Sequence, residues 1–386
     1  MSKQEHHHVE TRSAASNWRV HTNPIDADIY KRALADANEW PMEKLDVDDL
    51  FTSVTMIGAG SFGIVFRVSL IGAPKGEQYA LKLFYNLAHE AERFSHQEAL
   101  ASLYFHYIDK SDCTKHPHVV CFVRHFRAQF KYFSLSDVPM LGARKAVRDD
   151  NPFYRCILTR FVSSETLRSL LEPGAVRVAM HLPRASPTPF TLLPFQRMLM
   201  TAADGLRSLH AAGLWHHDVK PDNIAALNSE DSRMCESVVL DLGGACTLYE
   251  ECGHVHTREY TPRPVKRTEK WSNEEVFSEY CSRDVYALGV TFSQLANGNL
   301  KPLQKTTFSR TLTHDQHTDE LLSRMMHNEW KLRPTAQQVF ALLYAHLALG
   351  PVEPVEPLEQ LPPDTERLAK KRTLEQAHEK ELIKLA

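Results

Sequence analysis

His216-His217-Asp218-Val219-Lys220-Pro221-Asp222-Asn223 is followed, eighteen residues beyond the Asn, by Asp241-Leu242-Gly243. Asp218, Lys220 and Asn223, with Asp241 behind the apolar run Val238-Val239-Leu240, supply the groups that phosphoryl transfer needs. One carboxylate can orient a hydroxyl, one cation can neutralise a moving phosphoryl group, and an amide with a second carboxylate can hold Mg²⁺. An Asp in a turn that merely accepts backbone N–H bonds is common. That reading leaves Lys220, Asn223 and Asp241 without a purpose.

The run follows a helix expected from about Pro194 to Ala212, whose core stripe is Phe195, Met198, Leu199, Ala202, Leu206 and Leu209, with Gly213 as its stop. Upstream, Phe51 to Ile57, Gly63 to Leu70 and Gln78 to Phe84 are β-branched or aromatic runs separated by turns, which predicts an antiparallel meander. Two more strands are expected around Val119–Phe126 and Tyr154–Phe161, with a polar surface insertion near 136–151 between them. A helix over Leu87–Tyr107 presents Leu87, Ala91, Phe94, Glu98, Ala101 and Phe105 on one face. Glu98 inside that apolar stripe requires a cation, and Lys82 in Tyr79-Ala80-Leu81-Lys82-Leu83-Phe84 is the candidate. Further helices are expected at Glu165–Leu171, Asp284–Ala296, Asp319–Met326 and Thr335–Leu347.

Ile57-Gly58-Ala59-Gly60-Ser61-Phe62-Gly63-Ile64-Val65 contains G-x-G-x-x-G-x-V. Such a turn lets backbone N–H groups approach phosphates, though Gly-rich turns also serve simply to bend hairpins. Its position before the Lys82 strand favours the phosphate reading.

With these motifs in order, residues 51 to 349 resemble the eukaryotic-type protein kinase family. Tyr260-Thr261-Pro262 looks like the end of its activation segment, Ser282-Arg283-Asp284 through Gly289 like the next helix with its buried Asp, and Leu332-Arg333-Pro334 like the late structural Arg. The resemblance implies an α+β, two-lobed fold with an N-lobe at 51–162 and a mainly helical C-lobe at 163–349. It implies a Ser/Thr kinase, since Lys220-Pro221 is the Ser/Thr form, with ATP and Mg²⁺ as cofactors and a protein bearing Ser or Thr as substrate. Asp218, Lys220, Lys82 and Glu98 would carry the chemistry, and Asn223 and Asp241 the metal. The nucleotide would lie against Ile57 to Gly63, Val65, Ala80, the gatekeeper Thr159 and the hinge Arg160 to Val162. Glu90 and Glu92 lie on the same helix as Glu98 and compete for its assignment.

The departures are His217 where Arg is usual, Leu242 where Phe is usual, and no closing Glu after Pro262, which leaves Arg333 without its customary partner. His217 weakens the cationic pocket for an activation-segment phosphate, so activity is expected to be largely independent of phosphorylation at Thr247, Thr257 or Thr261. The same departures keep a pseudokinase as the alternative. Cys246, Cys252, His254 and His256 lack the spacing of zinc frameworks and read as incidental.

Bulk composition agrees with a large globular chain: 386 residues, 43% hydrophobic and 24% charged. A formal charge of −3 gives no pull toward nucleic acid, and no apolar run is long enough to span a membrane, so the expected compartment is cytoplasmic. Seven irregularly spaced cysteines suggest reduced thiols. Residues 1–50, with His6-His7-His8 and one short helix expected at 28–39, read as an extension. Residues 350–386, a Pro-rich linker and charged helix, read as a tail for a regulatory partner or a plain linker.

Overall fold

The computed structural model describes residues 26–43, 47–59, 63–84, 88–108, 110, 112–129, 153–163, 165–171, 192–227, 235–249, 257–265, 271–298, 313 and 315–349. The His6–His8 run, Gly60 to Phe62, the 136–151 insertion, the Pro183–Pro189 stretch, Cys252, His254, His256 and the 350–386 tail lie outside the described residues.

Five strands form an antiparallel sheet in the order β1-β2-β3-β5-β4. They are β1 (Phe51–Ala59), β2 (Gly63–Leu70), β3 (Tyr79–Phe84), β4 (Phe122–Gln129) and β5 (Phe153–Arg160). Alternation sorts their side chains between two faces. Ile64, Phe66, Val68, Leu81, Leu83, Cys156 and Leu158 pack into a small core on one face. The register Val65↔Lys82↔Ile157 and Arg67↔Ala80↔Thr159 places the alternate set on the other face. Gly63 is required by packing: a Cβ there would lie 2.6 Å from the Leu83 carbonyl oxygen. Val119 and Val120 were expected to open β4. They pair instead with β7, through Val120 N–H to the Val239 carbonyl and Val239 N–H to the His118 carbonyl.

The helices are α1 (Ala27–Asn38), α2 (Val47–Leu50), α3 (Ala88–Ile108), α4 (Leu167–Leu170), α5 (Leu192–Ala211), α6 (Asn273–Asn297), α7 (Gln316–Met325) and α8 (Ala336–Leu349). A second, two-stranded sheet pairs β6 (Ile224–Leu227) with β7 (Glu236–Val239). The large core joins α3 to α5, α6, α7 and α8, with Phe195 edge-on to Phe292 at its centre. Gly205 on α5 lets the His118 backbone approach, since a Cβ would meet the His118 carbonyl oxygen at 2.4 Å.

Two elements depart from expectation. α3 is buried on every side from Glu98 to Phe105, not along one stripe, because α1 covers its outer face. α6 begins eleven residues before Asp284: Ser272 and Glu275 form a capping box at its start, and Gly298 closes it in the left-handed conformation. Residues 41–43 run alongside β4, with Arg127 N–H bonded to the Pro41 carbonyl and Glu43 N–H to the Arg127 carbonyl. The opposite edge is β1, where Val54 and Met56 are exposed.

The expectation of reduced thiols is corrected at one pair. A 3₁₀ turn at Cys113–Lys115 returns the chain so that Cys113 and Cys121 form a disulfide with Cα atoms 5.5 Å apart. Cys156, Cys235, Cys246 and Cys281 take part in no disulfide. Among the described residues no helix is long and apolar enough to cross a membrane.

Candidate active site

β3 and α3 set the first cluster. Lys82 projects from the cleft-facing side of β3, and its Nζ bonds Glu98 Oε2 at 2.6 Å and Asp241 Oδ1 at 2.8 Å. Glu98 is thus the acid that answers Lys82; Glu92 pairs with Arg155 at 2.7 Å, and the side chain of Glu90 lies outside the described set. Burial pushes the Glu98 carboxyl up to about 7, against the pull of Lys82. Burial lowers Lys82, yet the charges of Asp241 and Glu98 outweigh it and hold the ammonium above its usual range. Burial would likewise raise Asp241, but Lys82 and the Gly243 N–H bring it down to about 2.

Asp241 ends the strand-like run after β7 with φ +54°, and Gly243 follows it over α3. A Cβ on Gly243 would come within 3.1 Å of Glu98 Oε2, so the glycine permits this approach. Leu242 is buried and lines a small cavity with Ser102 and Phe105 of α3, which retains the apolar contact expected beneath the helix.

The second cluster surrounds Asp218. Its Oδ2 accepts from Lys220 Nζ at 2.5 Å and Asn223 Nδ2 at 3.1 Å. Its Oδ1 accepts from the Thr257 hydroxyl at 2.8 Å and the Thr257 N–H at 3.2 Å, and Lys220 also reaches that hydroxyl at 3.2 Å. By sequence alone Thr257 is only a candidate phosphosite. Nothing in the sequence near it signals a role in the site; the contact exists because the chain returns across Asp218 before Tyr260 anchors it to Gln294 on α6.

Asp284 holds the run in place. Buried on α6, it accepts the N–H of His216 at 2.7 Å and of His217 at 2.8 Å, with His210 Nε2 3.0 Å away. Burial would raise its pKa, but His210 and His216 hold it below the usual carboxylate value. His217, with φ +68°, turns the backbone toward Asp218. The two clusters are joined through Leu240, whose N–H donates to the Asn223 carbonyl at 2.9 Å and whose carbonyl lies 2.8 Å from His216 Nε2.

The departures from the family pattern have visible substitutes. Tyr280 stacks on Trp215 at 4.5 Å and meets the edge of His217 at 5.9 Å, filling the neighbourhood of His217 with rings. Arg333 is buried, donates to the carbonyls of Ser282, His327 and Asn328, and lies over the Tyr286 ring at 4.9 Å. Burial lowers its pKa to about 10, with the nearby Glu279 charge opposing. Glu279 itself pairs with Arg283 at 2.7 Å.

The remaining expected residues lie along the sheet side of the cleft. Ile57, Gly58 and Ala59 end β1, with Gly58 opposite Val65. Ala80 is paired with Thr159, and Arg160 N–H donates to the Cys121 carbonyl. Val162 follows, with no backbone hydrogen bond among the described residues. Two side-chain oxygens are also left over. Asp241 Oδ2 and Asn223 Oδ1 carry no bond among the described residues. Oxygen donors of this kind fit Mg²⁺, and the open Val162 backbone fits the edge of a base.

A twisted antiparallel sheet over a helical lobe, a Lys–Glu pair crossing from sheet to helix and an Asp-centred loop between them define a protein kinase fold. The chain belongs to the protein kinase family, whose protein kinase domain matches residues 51–345. It is similar to the Wee1-like protein kinase of Drosophila melanogaster, 27% identical over 37% of this chain and 28% of that protein. It is also similar to serine/threonine-protein kinase pkn2 of Myxococcus xanthus, 26% identical over 52% of this chain and 19% of the relative. For mitogen-activated protein kinase 14 of Xenopus laevis the identity is 32% over 30% of this chain and 27% of the relative. The chain thus spans less than a third of the length of these curated relatives.

Proposed function

We propose that this chain is an active Ser/Thr protein kinase, moving the γ-phosphoryl group of ATP to a hydroxyl of a protein substrate. The observation that carries the reading is the state of both clusters together. Lys82 bridges Glu98 and Asp241, while Asp218 is ringed by Lys220, Asn223 and Thr257.

In this reading Lys82, fixed by Glu98, binds the α- and β-phosphates, and Asp218 orients the acceptor hydroxyl and receives its proton. Lys220 sits beside Asp218 and stabilises charge on the transferred group. Asn223 and Asp241 would hold Mg²⁺, which supplies positive charge against the phosphate oxygens. The Lys220-Pro221 form and the Thr257 hydroxyl shared by Asp218 and Lys220 support a Ser/Thr acceptor. The pseudokinase alternative drew on His217 and the missing closing Glu, and the Tyr280 and Arg333 contacts weaken that case.

The test is transfer of labelled γ-phosphate, with Mg²⁺, to the chain itself and to a generic Ser/Thr substrate. Wild-type transfer that is lost in Asp218→Ala supports the reading. A folded, ATP-binding wild type that transfers nothing establishes the pseudokinase instead.

A further inference from the structure

α1 lies ahead of the stretch that matches the family, at residues 27–38, yet it is built into the sheet lobe. Asp26 caps it, accepting from the N–H groups of Asp28 and Ile29. Tyr30, Ala33 and Ala37, spaced i, i+3, i+7, are its buried face. The partner of that face is α3, the helix that carries Glu98. Tyr107 donates its hydroxyl to Asp36 at 2.5 Å, and the Arg32 guanidinium lies 4.3 Å from the Tyr107 ring. His96 Nδ1 lies 3.3 Å from the Ala37 carbonyl, and Tyr30 meets Tyr104 edge-on at 6.0 Å.

On a helix of 3.6 residues per turn, His96 and Tyr107 fall on the side roughly opposite Glu98. α1 therefore presses α3 from behind, and the direction of that pressure is toward Lys82. Both ends of the brace are anchored. At one end, His125 Nε2 on β4 is 3.0 Å from the carbonyls of Asp36 and Glu39, and Glu43 pairs with Arg124 at 2.9 Å. At the other, the Tyr30 ring lies 5.1 Å from Tyr249, six residues beyond Gly243. The helix thus touches the sheet edge, α3 and the segment following Asp241.

We propose that α1 is an internal positioning element that holds Glu98 on Lys82, so that α3 needs no separate protein to seat it. Ala33 and the Asp36–Tyr107 bond are its positioning residues. The consequence for phosphoryl transfer rests on the kinase reading above; the mechanical claim does not.

The experiment compares full-length wild type, Ala33→Glu, Tyr107→Phe and Glu98→Gln by γ-phosphate transfer and by amide hydrogen exchange across residues 96–104. Ala33→Glu is expected to speed exchange on α3 at least tenfold while exchange on α5 is unchanged, and to lower kcat at least tenfold. Tyr107→Phe, which removes one hydroxyl and keeps the ring, is expected to lower kcat two- to fivefold. In the Glu98→Gln background Ala33→Glu should add nothing, because both act through one ion pair. Unchanged exchange on α3 in both variants overturns the proposal, as does a kcat loss in Ala33→Glu that multiplies with that of Glu98→Gln. If Ala33→Glu unfolds the chain, Tyr107→Phe alone decides: faster α3 exchange with a two- to fivefold lower kcat supports the proposal, and unchanged α3 exchange overturns it. Faster α3 exchange in Ala33→Glu than in a wild type that transfers nothing would sink the kinase reading and leave the positioning role standing.

Discussion

At the residue scale, Glu98 joins electrostatics to activity most directly. Its folded pKa, about 7, stands above the ordinary 4.5, so the folded state holds the proton more tightly than the unfolded chain. Its contribution to stability is accordingly present below about 4.5 and lost as pH rises through about 7. The pairing with Lys82 runs the other way, because the carboxylate forms only as pH rises. We expect kcat/KM for ATP to fall on the acid side of about pH 7, and Glu98→Gln to be slower throughout and to lack that limb; an identical profile in the variant would refute the assignment. Thr257→Val keeps the side-chain shape but removes the hydroxyl between Asp218 and Lys220. It should lower kcat roughly tenfold with little change in KM for ATP, as befits one lost hydrogen bond to charged groups. Gly63→Ala drives a Cβ into the Leu83 carbonyl, and urea unfolding should report a loss of about 1–3 kcal/mol.

At the element scale, α6 explains how the departures from the family pattern are accommodated. Its early start, fixed by the Ser272 cap, delivers Tyr280 to Trp215 and His217 and places Glu279 near Arg333. Packing of rings thereby stands where a phosphate-binding cation is usual. Phosphatase treatment should change the transfer rate by less than tenfold, whereas Tyr280→Ala should cost about 2 kcal/mol in unfolding free energy and reduce transfer. A rate that collapses on phosphatase treatment would show that the rings do not suffice. Replacing Thr257 is no substitute for this test, because its hydroxyl belongs to the Asp218 cluster. Sequence periodicity located α3, α5 and α8 within a few residues, and the Lys82–Glu98 pair followed from one acid in an apolar stripe. The double-sided burial of α3 was not legible, because α1 announces only a short amphipathic pattern and not its partner. The extra turns of α6 were missed because Asn273 to Ser282 are mostly polar and their burial depends on Trp215 and Arg333 from distant positions.

At the scale of the whole molecule, the order of motifs along the chain was enough to specify the sheet lobe, the helical lobe and the cleft between them. Pairings set by folding alone were out of reach: seven irregular cysteines gave no reason to join Cys113 to Cys121. That bond closes a short loop between α3 and β4, next to the Cys121 carbonyl that receives Arg160 N–H. Loop closure of this length predicts a loss of about 2–3 kcal/mol for Cys113→Ser or on reduction, read as a lower unfolding midpoint. A midpoint indifferent to reductant would argue that the bridge adds nothing. The two flanks of the sheet also differ in kind. Residues 41–43 already occupy the β4 flank, whereas β1 shows Val54 and Met56 to solvent. A strand offered by another molecule would therefore add beside β1, lengthening the sheet next to the end of β1 at Ala59, so self-association of this chain and access to the proposed nucleotide site are expected to compete.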